Sequence, residues 1–313
     1  MAFNPQRLPP PPPPPPPHAP FQLIRRRDAY LQITRPSFIT LPIQHAPEES
    51  STLIWKLLSE SNALTRYDDP DYYLFSRYNQ TISITQEGPT CGLVALMMAL
   101  DCLGMSIPDL SQILPRAKQL GYTNHGEMYS ALNLSQLVGY LVPNVQGIHV
   151  NNLSGRKSQF IEHLSSGWPI LIPYDSDRNH YPCQANGYHA HWAVILGYCI
   201  GMKKPKEMNI DKILSLWEKD SSHPNLYHLN SPDDAYLLRD FFNTLLNNSS
   251  QLFLYAKQGK SIKVRLFDFD QLLKSNHNLH STAPYSTRDL LIPEGGVRAG
   301  LSDQAILIKP KNV

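Results

Sequence analysis

The chain has 313 residues, 42% of them hydrophobic and 17% charged, with a formal net charge of +2. That is enough apolar material for one large folded domain or two small ones, and the near-balanced charge speaks against a nucleic-acid surface. The four cysteines, Cys91, Cys102, Cys183 and Cys199, are too sparse for a disulfide framework and show no CxxC spacing for zinc, so no metal or other cofactor is indicated. With no apolar leader and no run approaching roughly 18 apolar residues, the expectation is a soluble, cytoplasmic chain without a membrane span.

Residues 1–50 read as a disordered proline-rich tail and linker. The nine consecutive prolines Pro9–Pro17 can form neither helix nor sheet. They adopt polyproline II, a preformed ligand for aromatic-lined grooves, or act as a stiff spacer. The folded domain is expected over 51–313. Its first helix covers residues 51–65, with Leu53, Ile54, Leu57, Leu58 and Leu64 on one side. Residues 68–80 read as a turn followed by an aromatic stretch. Helices are then expected from Cys91, within 106–121 up to the stop at Gly121, and within 126–141, where Met128 and Tyr129 read as core. From residue 160 the pattern changes. A helix ends at Ser165, WPILIPY (168–174) reads as a buried strand, 175–187 as a polar loop, and 189–200 as a second strand. Residues 201–250 look like an insertion. Strands follow at 251–257 and 261–269, and a short strand closes the chain. The fold class is therefore α+β, a helical half followed by an antiparallel sheet.

The chemistry concentrates at QEGPTCGLVALMMAL, residues 86–100. Gly88 and Pro89 make a tight turn, after which small and apolar residues start a buried helix at Cys91. The free N–H groups of a helix start favour a thiolate and can hold the oxyanion of an attacked carbonyl. Gln86, five residues upstream, can add a side-chain amide to that hole. A packed core thiol is the bland alternative. A catalytic cysteine needs a histidine as its base. Ten of the twelve histidines fall in irregular stretches or on element surfaces. His191 opens a strongly apolar strand after a polar loop, so its side chain can enter a cleft, and His189 is its rival on the same strand face.

Cysteine on a central helix, glutamine upstream and histidine on a later strand resemble the plan of the papain-like peptidases. The pairing of QEGPTCGLVAL with HWAVILGY is similar to their bacteriocin-processing branch. Closer still, the proline run, GPTCGLVAL, GEMYSA, GWPILIPYD, AHWAVILG, FLYAKQGKS and GGVRAGL together resemble the vertebrate actin maturation proteases. That resemblance implies a cytosolic cysteine aminopeptidase that removes the acetylated first residue, methionine or cysteine, from immature actin. It implies Cys91 as nucleophile, His191 as its histidine, Gln86 as the oxyanion residue, and profilin as the partner of Pro9–Pro17. In the wider superfamily an Asp or Asn orients the histidine; here the matching strand ends at Gln258, and that third position stays open. Because trimmed actin begins with acidic residues, basic residues near the cleft are expected, with Arg178 and Arg298 as candidates. The competing expectations are a non-enzymatic polyproline adaptor and a thiol peptidase with another protein substrate.

Overall fold

The computed structural model describes residues 56–59, 71–203, 217–221, 223–229, 249–283 and 289–311, with 214, 242 and 246 as isolated positions. The proline run and the linker to residue 50 lie outside the described residues. Of the helix expected over 51–65, residues 56–59 are described and helical, with Leu57 and Leu58 buried.

The aromatic stretch after residue 70 is a strand, β1 (Tyr72–Tyr78). Helix α1 (Cys91–Cys102) follows, and ten of its twelve residues are buried. An apolar circumference of this kind belongs to a core helix rather than an amphipathic surface one. Helix α2 (Leu110–Gln119) starts with a capping box between Asp109 and Gln112, and Gly121 beyond its end adopts a positive φ. Helix α3 (Ala131–Leu141) is capped by the Ser130 hydroxyl. Then come β2 (Val145–Asn151), α4 (Lys157–Ser165), β3 (Ile170–Asp175) and β4 (Ala190–Lys203). Two short strands, β5 (Trp217–Lys219) and β6 (Leu226–Leu229), precede the hairpin of β7 (Ser249–Gln258) and β8 (Ser261–Asp268). Helices α5 (Phe269–His277) and α6 (Gly296–Leu301) and strand β9 (Gln304–Pro310) complete the described elements.

These nine strands form one sheet in the order β2-β9-β3-β4-β1-β6-β5, with β7 pairing β4 and β8. Alternation along β3 and β4 separates two cores. Ile170, Ile172, Tyr174, Ala193 and Ile195 pack with residues of α4 and α5. Leu171, Trp192, Val194 and Leu196 pack with α1, α2 and α3. Helices on both faces are why these strands read as continuous apolar runs. Gly197 shifts the alternation by one residue, so that Tyr198 and Ile200 continue the Ile195 face. It sits at a register irregularity with φ +157°, and a Cβ there would run into the Arg77 carbonyl oxygen.

The order of helices first and sheet second does not hold, because β1 precedes α1 and β2 stands between α3 and α4. The sheet is mixed rather than antiparallel, since β1 and β6 run parallel. That pair exists because the stretch read as an insertion returns β6 to the free edge of β1, far along the chain. Helix α5, which the sequence reading does not include, follows β8 directly. It is nucleated by the Asp268 carboxylate accepting from the Gln271 N–H at 2.9 Å. No helix among the described residues is long and apolar enough to cross a membrane.

Candidate active site

Local chemistry places Cys91 at the first position of α1. Gly88, at φ +62°, turns the chain, and the Thr90 hydroxyl donates to the Glu87 carbonyl at 2.8 Å, so it closes the turn rather than capping the helix. The helix N–H groups of Cys91 and Gly92 are thus left facing the sulfur, which they favour as thiolate. Cys91 is partly exposed, unlike the rest of the helix face. Close packing holds α1 against the sheet here. A Cβ at Gly92 would stand 2.9 Å from Cβ of Met128 and 3.1 Å from Cδ1 of Trp192. Met128 is core, as expected, and its carbonyl accepts from the Trp192 indole N–H at 2.8 Å.

His191 lies on the sheet face opposite to α1, stacked on its cross-strand partner Tyr174 with ring centres 6.0 Å apart and planes within 5°. Helix α1 and the His191 ring therefore lie on different faces of β4. Strand β7 ends at Gln258, opposite Ala193, so Trp192 has no β7 partner and its N–H is left for the site. That N–H donates to Nδ1 of His191 at 2.9 Å, and it is also the sheet group that faces the Cys91 sulfur. The rival His189 is exposed, precedes the strand, and gives its N–H to Asp175.

Burial sets the protonation of both groups. Desolvation raises the Cys91 thiol above its ordinary pKa, outweighing the Trp192 N–H, the positive Lys260 and the helix-start N–H groups that pull it down. The helix-start N–H groups act in the expected direction, but removing water from the sulfur costs more than the three N–H dipoles return. His191, 2% exposed, is lowered to about 3, first by burial and then by Lys260 and His180, with Gln258 acting the other way. The resting pair at neutral pH is thiol and neutral imidazole.

Gln86 is anchored rather than free. Its N–H donates to the Gly259 carbonyl at 2.8 Å, its Nε2 donates to the Gly88 carbonyl at 2.8 Å, and its buried Oε1 has no partner among the described residues. Gln258 shares the His191 face by alternation. Its Oε1 accepts from the Lys260 N–H at 2.7 Å. Its own Nε2 and Nε2 of His191 are buried without a hydrogen-bond partner among the described residues, so Gln258 influences the imidazole without closing a bond.

Sequence reasoning missed Asp175. This fully buried carboxylate ends β3 and accepts from the N–H groups of Ala185, Gly187 (2.9 Å) and His189 (3.1 Å). It ties down the loop that delivers His191 to β4. An acidic residue closing an otherwise apolar strand before a glycine- and asparagine-containing loop was the available signal. His163, read as a surface residue, is buried, with Nε2 at 3.2 Å from the carbonyls of both Pro169 and Ile308. Arg178 and Arg298 are both exposed, and neither is among the groups that shift Cys91 or His191. No group of three or more His, Cys, Asp or Glu side chains among the described residues is arranged to hold a metal ion.

Comparison with known proteins supplies the class. A family model described as "Actin maturation protease-like, C-terminal domain" matches residues 81–199, a span holding Gln86, Cys91 and His191 but not Gln258. The Actin maturation protease of Xenopus tropicalis is 37% identical over 242 residues, covering 75% of this chain and 74% of the relative. That of Mus musculus is 37% identical over 236 residues, covering 73% of this chain and 62% of the relative. That of Drosophila melanogaster is 31% identical over 246 residues, covering 76% and 73%. No solved structure matches the chain. These relatives are proteases, and the chain is placed with the peptidases. More narrowly, it belongs to the actin maturation protease family.

Proposed function

We propose that the chain is a cytoplasmic cysteine aminopeptidase of papain-like fold that removes the N-acetylated first residue, methionine or cysteine, from immature actin. The observation that supports the reading is the Trp192 N–H, which donates to Nδ1 of His191 and also faces the Cys91 sulfur. The names of the relatives support the substrate.

In this reading Cys91 is the nucleophile. As the sulfur attacks the carbonyl carbon of the acetylated residue, Nδ1 of His191 lets go of the Trp192 N–H and takes the thiol proton. The negative oxygen is received by the Cys91 N–H and by the Nε2 hydrogen of Gln86 that Gly88 does not take. Collapse breaks the carbon–nitrogen bond, and the imidazolium returns its proton to the departing amine, which becomes the new amino terminus. His191 then takes a proton from water, whose oxygen attacks the thioester. The N-acetyl amino acid leaves and the thiol is restored. Gln258, beside Nε2, accepts the imidazolium's second N–H during the charged stages. Residues 51–313 form the peptidase domain, and the Pro9–Pro17 run engages profilin, raising the local concentration of the actin it carries.

The test is mass measurement of an N-acetylated actin amino-terminal peptide incubated with purified full-length protein. Release of N-acetyl-methionine by the wild type, and none by a folded Cys91→Ala protein, is the expected result. Undiminished turnover by Cys91→Ala would overturn the assignment.

A further inference from the structure

The turn between β7 and β8 is built into the site. Gly259 accepts from the Gln86 N–H, and the Lys260 N–H is held by Gln258, so the turn is fastened to the residues flanking both Cys91 and His191. A Cβ at Gly259 would lie 2.9 Å from Cβ of Gln86 and 3.2 Å from Cγ1 of Val94, so the turn packs directly on the residues beside Cys91. The Lys260 side chain is exposed and forms no ion pair among the described residues. Its charge nevertheless acts on Cys91, His191 and His180 together. Along β8, Arg265 pairs with Ala256, on the face that carries Gln258 and His191. Its guanidinium lies 5.3 Å from the Tyr181 ring centre, and its buried Nε has no hydrogen-bond partner among the described residues. Tyr181 belongs to the loop after β3, whose tip Asp177 fixes by accepting from the N–H groups of Asn179 and Tyr181 at 2.8 Å.

Lys260 acts on a histidine that must become positive during catalysis, Arg265 acts on the neighbouring His180, and an anion brought from outside offsets both charges. In an aminopeptidase the acyl side of the cut bond holds a single residue, so any further recognition falls on the leaving side. We propose that Lys260 and Arg265 form a subsite for acidic side chains on the leaving side of the scissile bond, with Lys260 taking the carboxylate nearest to it. This rests on the peptidase reading and replaces Arg178 and Arg298 as the basic residues of the cleft. An exposed lysine contributes modestly and is screened by salt, so the effect belongs mainly in KM.

The experiment compares short N-acetyl-methionyl peptides carrying Asp-Asp or Asn-Asn after the methionine, at low and high salt. Wild type, Lys260→Gln, Lys260→Glu and Arg298→Gln are assayed as full chains. The wild type is expected to favour the acidic peptide about tenfold through KM, an advantage that salt erodes. Lys260→Gln removes most of the preference, Lys260→Glu reverses it, and Arg298→Gln leaves it intact. A preference that survives Lys260→Gln, or none in the wild type, overturns the subsite. If neither peptide is cleaved, the peptidase reading fails by itself. The subsite is then decided by fluorescence anisotropy of the same peptides on Cys91→Ala protein. Tighter binding of the acidic peptide, lost on adding Lys260→Gln, supports it, and equal binding overturns it.

Discussion

Nδ1 of His191 accepts a hydrogen bond from the backbone N–H of Trp192, its own sequence neighbour, at 2.9 Å. The bond turns the imidazole back over its strand, toward the Cys91 sulfur that faces the same N–H. It occupies the Nδ1 lone pair, which makes the Nε2–H tautomer the resting one and points that hydrogen toward Gln258.

A neutral resting pair has a kinetic signature. Because burial raises the Cys91 pKa, alkylation of the free protein by iodoacetamide is slow at pH 7, and it climbs only above the ordinary cysteine range. Gln258→Glu places a carboxylate beside Nε2 and raises the imidazole pKa by about 1–3 units. The acid limb of kcat/KM then moves up by a similar amount, and alkylation at pH 7 quickens. A pH series of both rates checks this.

Gly259→Ala tests the Gln86 contribution without touching Gln86. The added methyl meets Cβ and Oε1 of Gln86 at 2.9 Å, so the amide is pushed from its place. Loss of one oxyanion donor costs about 100-fold or more in kcat, and partial displacement about tenfold, with KM little changed. Steady-state kinetics on the variant, with thermal melting to show an intact fold, measures it.

Asp175→Asn removes the charge that gathers three N–H groups of the loop before β4. The amide turns at least one donor toward a donor. Stability falls by about 2–3 kcal/mol, the range for hydrogen bonds to a buried charged group. Activity falls as well, because His191 follows that loop. Urea denaturation gives the first number, and kcat of the remaining folded protein gives the second.

Acid lability follows from His163, whose pKa burial lowers to about 4 from an ordinary 6.5. As pH falls below 6.5 the unfolded chain takes a proton there that the folded chain refuses. The stability is therefore complete above pH 6.5, declines from 6.5 to 4, and levels off below. The difference is about 3 kcal/mol. His191, lowered to about 3, acts with the same sign and carries the decline further. Urea midpoints from pH 7.5 down to 4.5 are expected to drop, and His163→Gln flattens the slope.

Much of this arrangement was legible in the residues. Cys91 had to begin a buried helix, because a glycine–proline turn precedes it and everything after it is small or apolar. The strands of WPILIPY and HWAVILGY were marked by unbroken apolar runs, which come from burial on both faces. What escaped depended on partners distant in the chain. Strands β2 and β6 are short and unremarkable alone, and become strands because β9 and β1 offer free edges. The sequence by itself determined which residues are candidates for the chemistry, since a thiol at a helix start, a histidine opening a strand and their local turns are properties of short segments. The tertiary structure alone decided their ionisation and surroundings. Desolvation, the end of β7 at Gln258 and the cations of the β7–β8 turn are set by segments that meet only after folding, and the field at a buried sulfur depends on distance in space rather than along the chain.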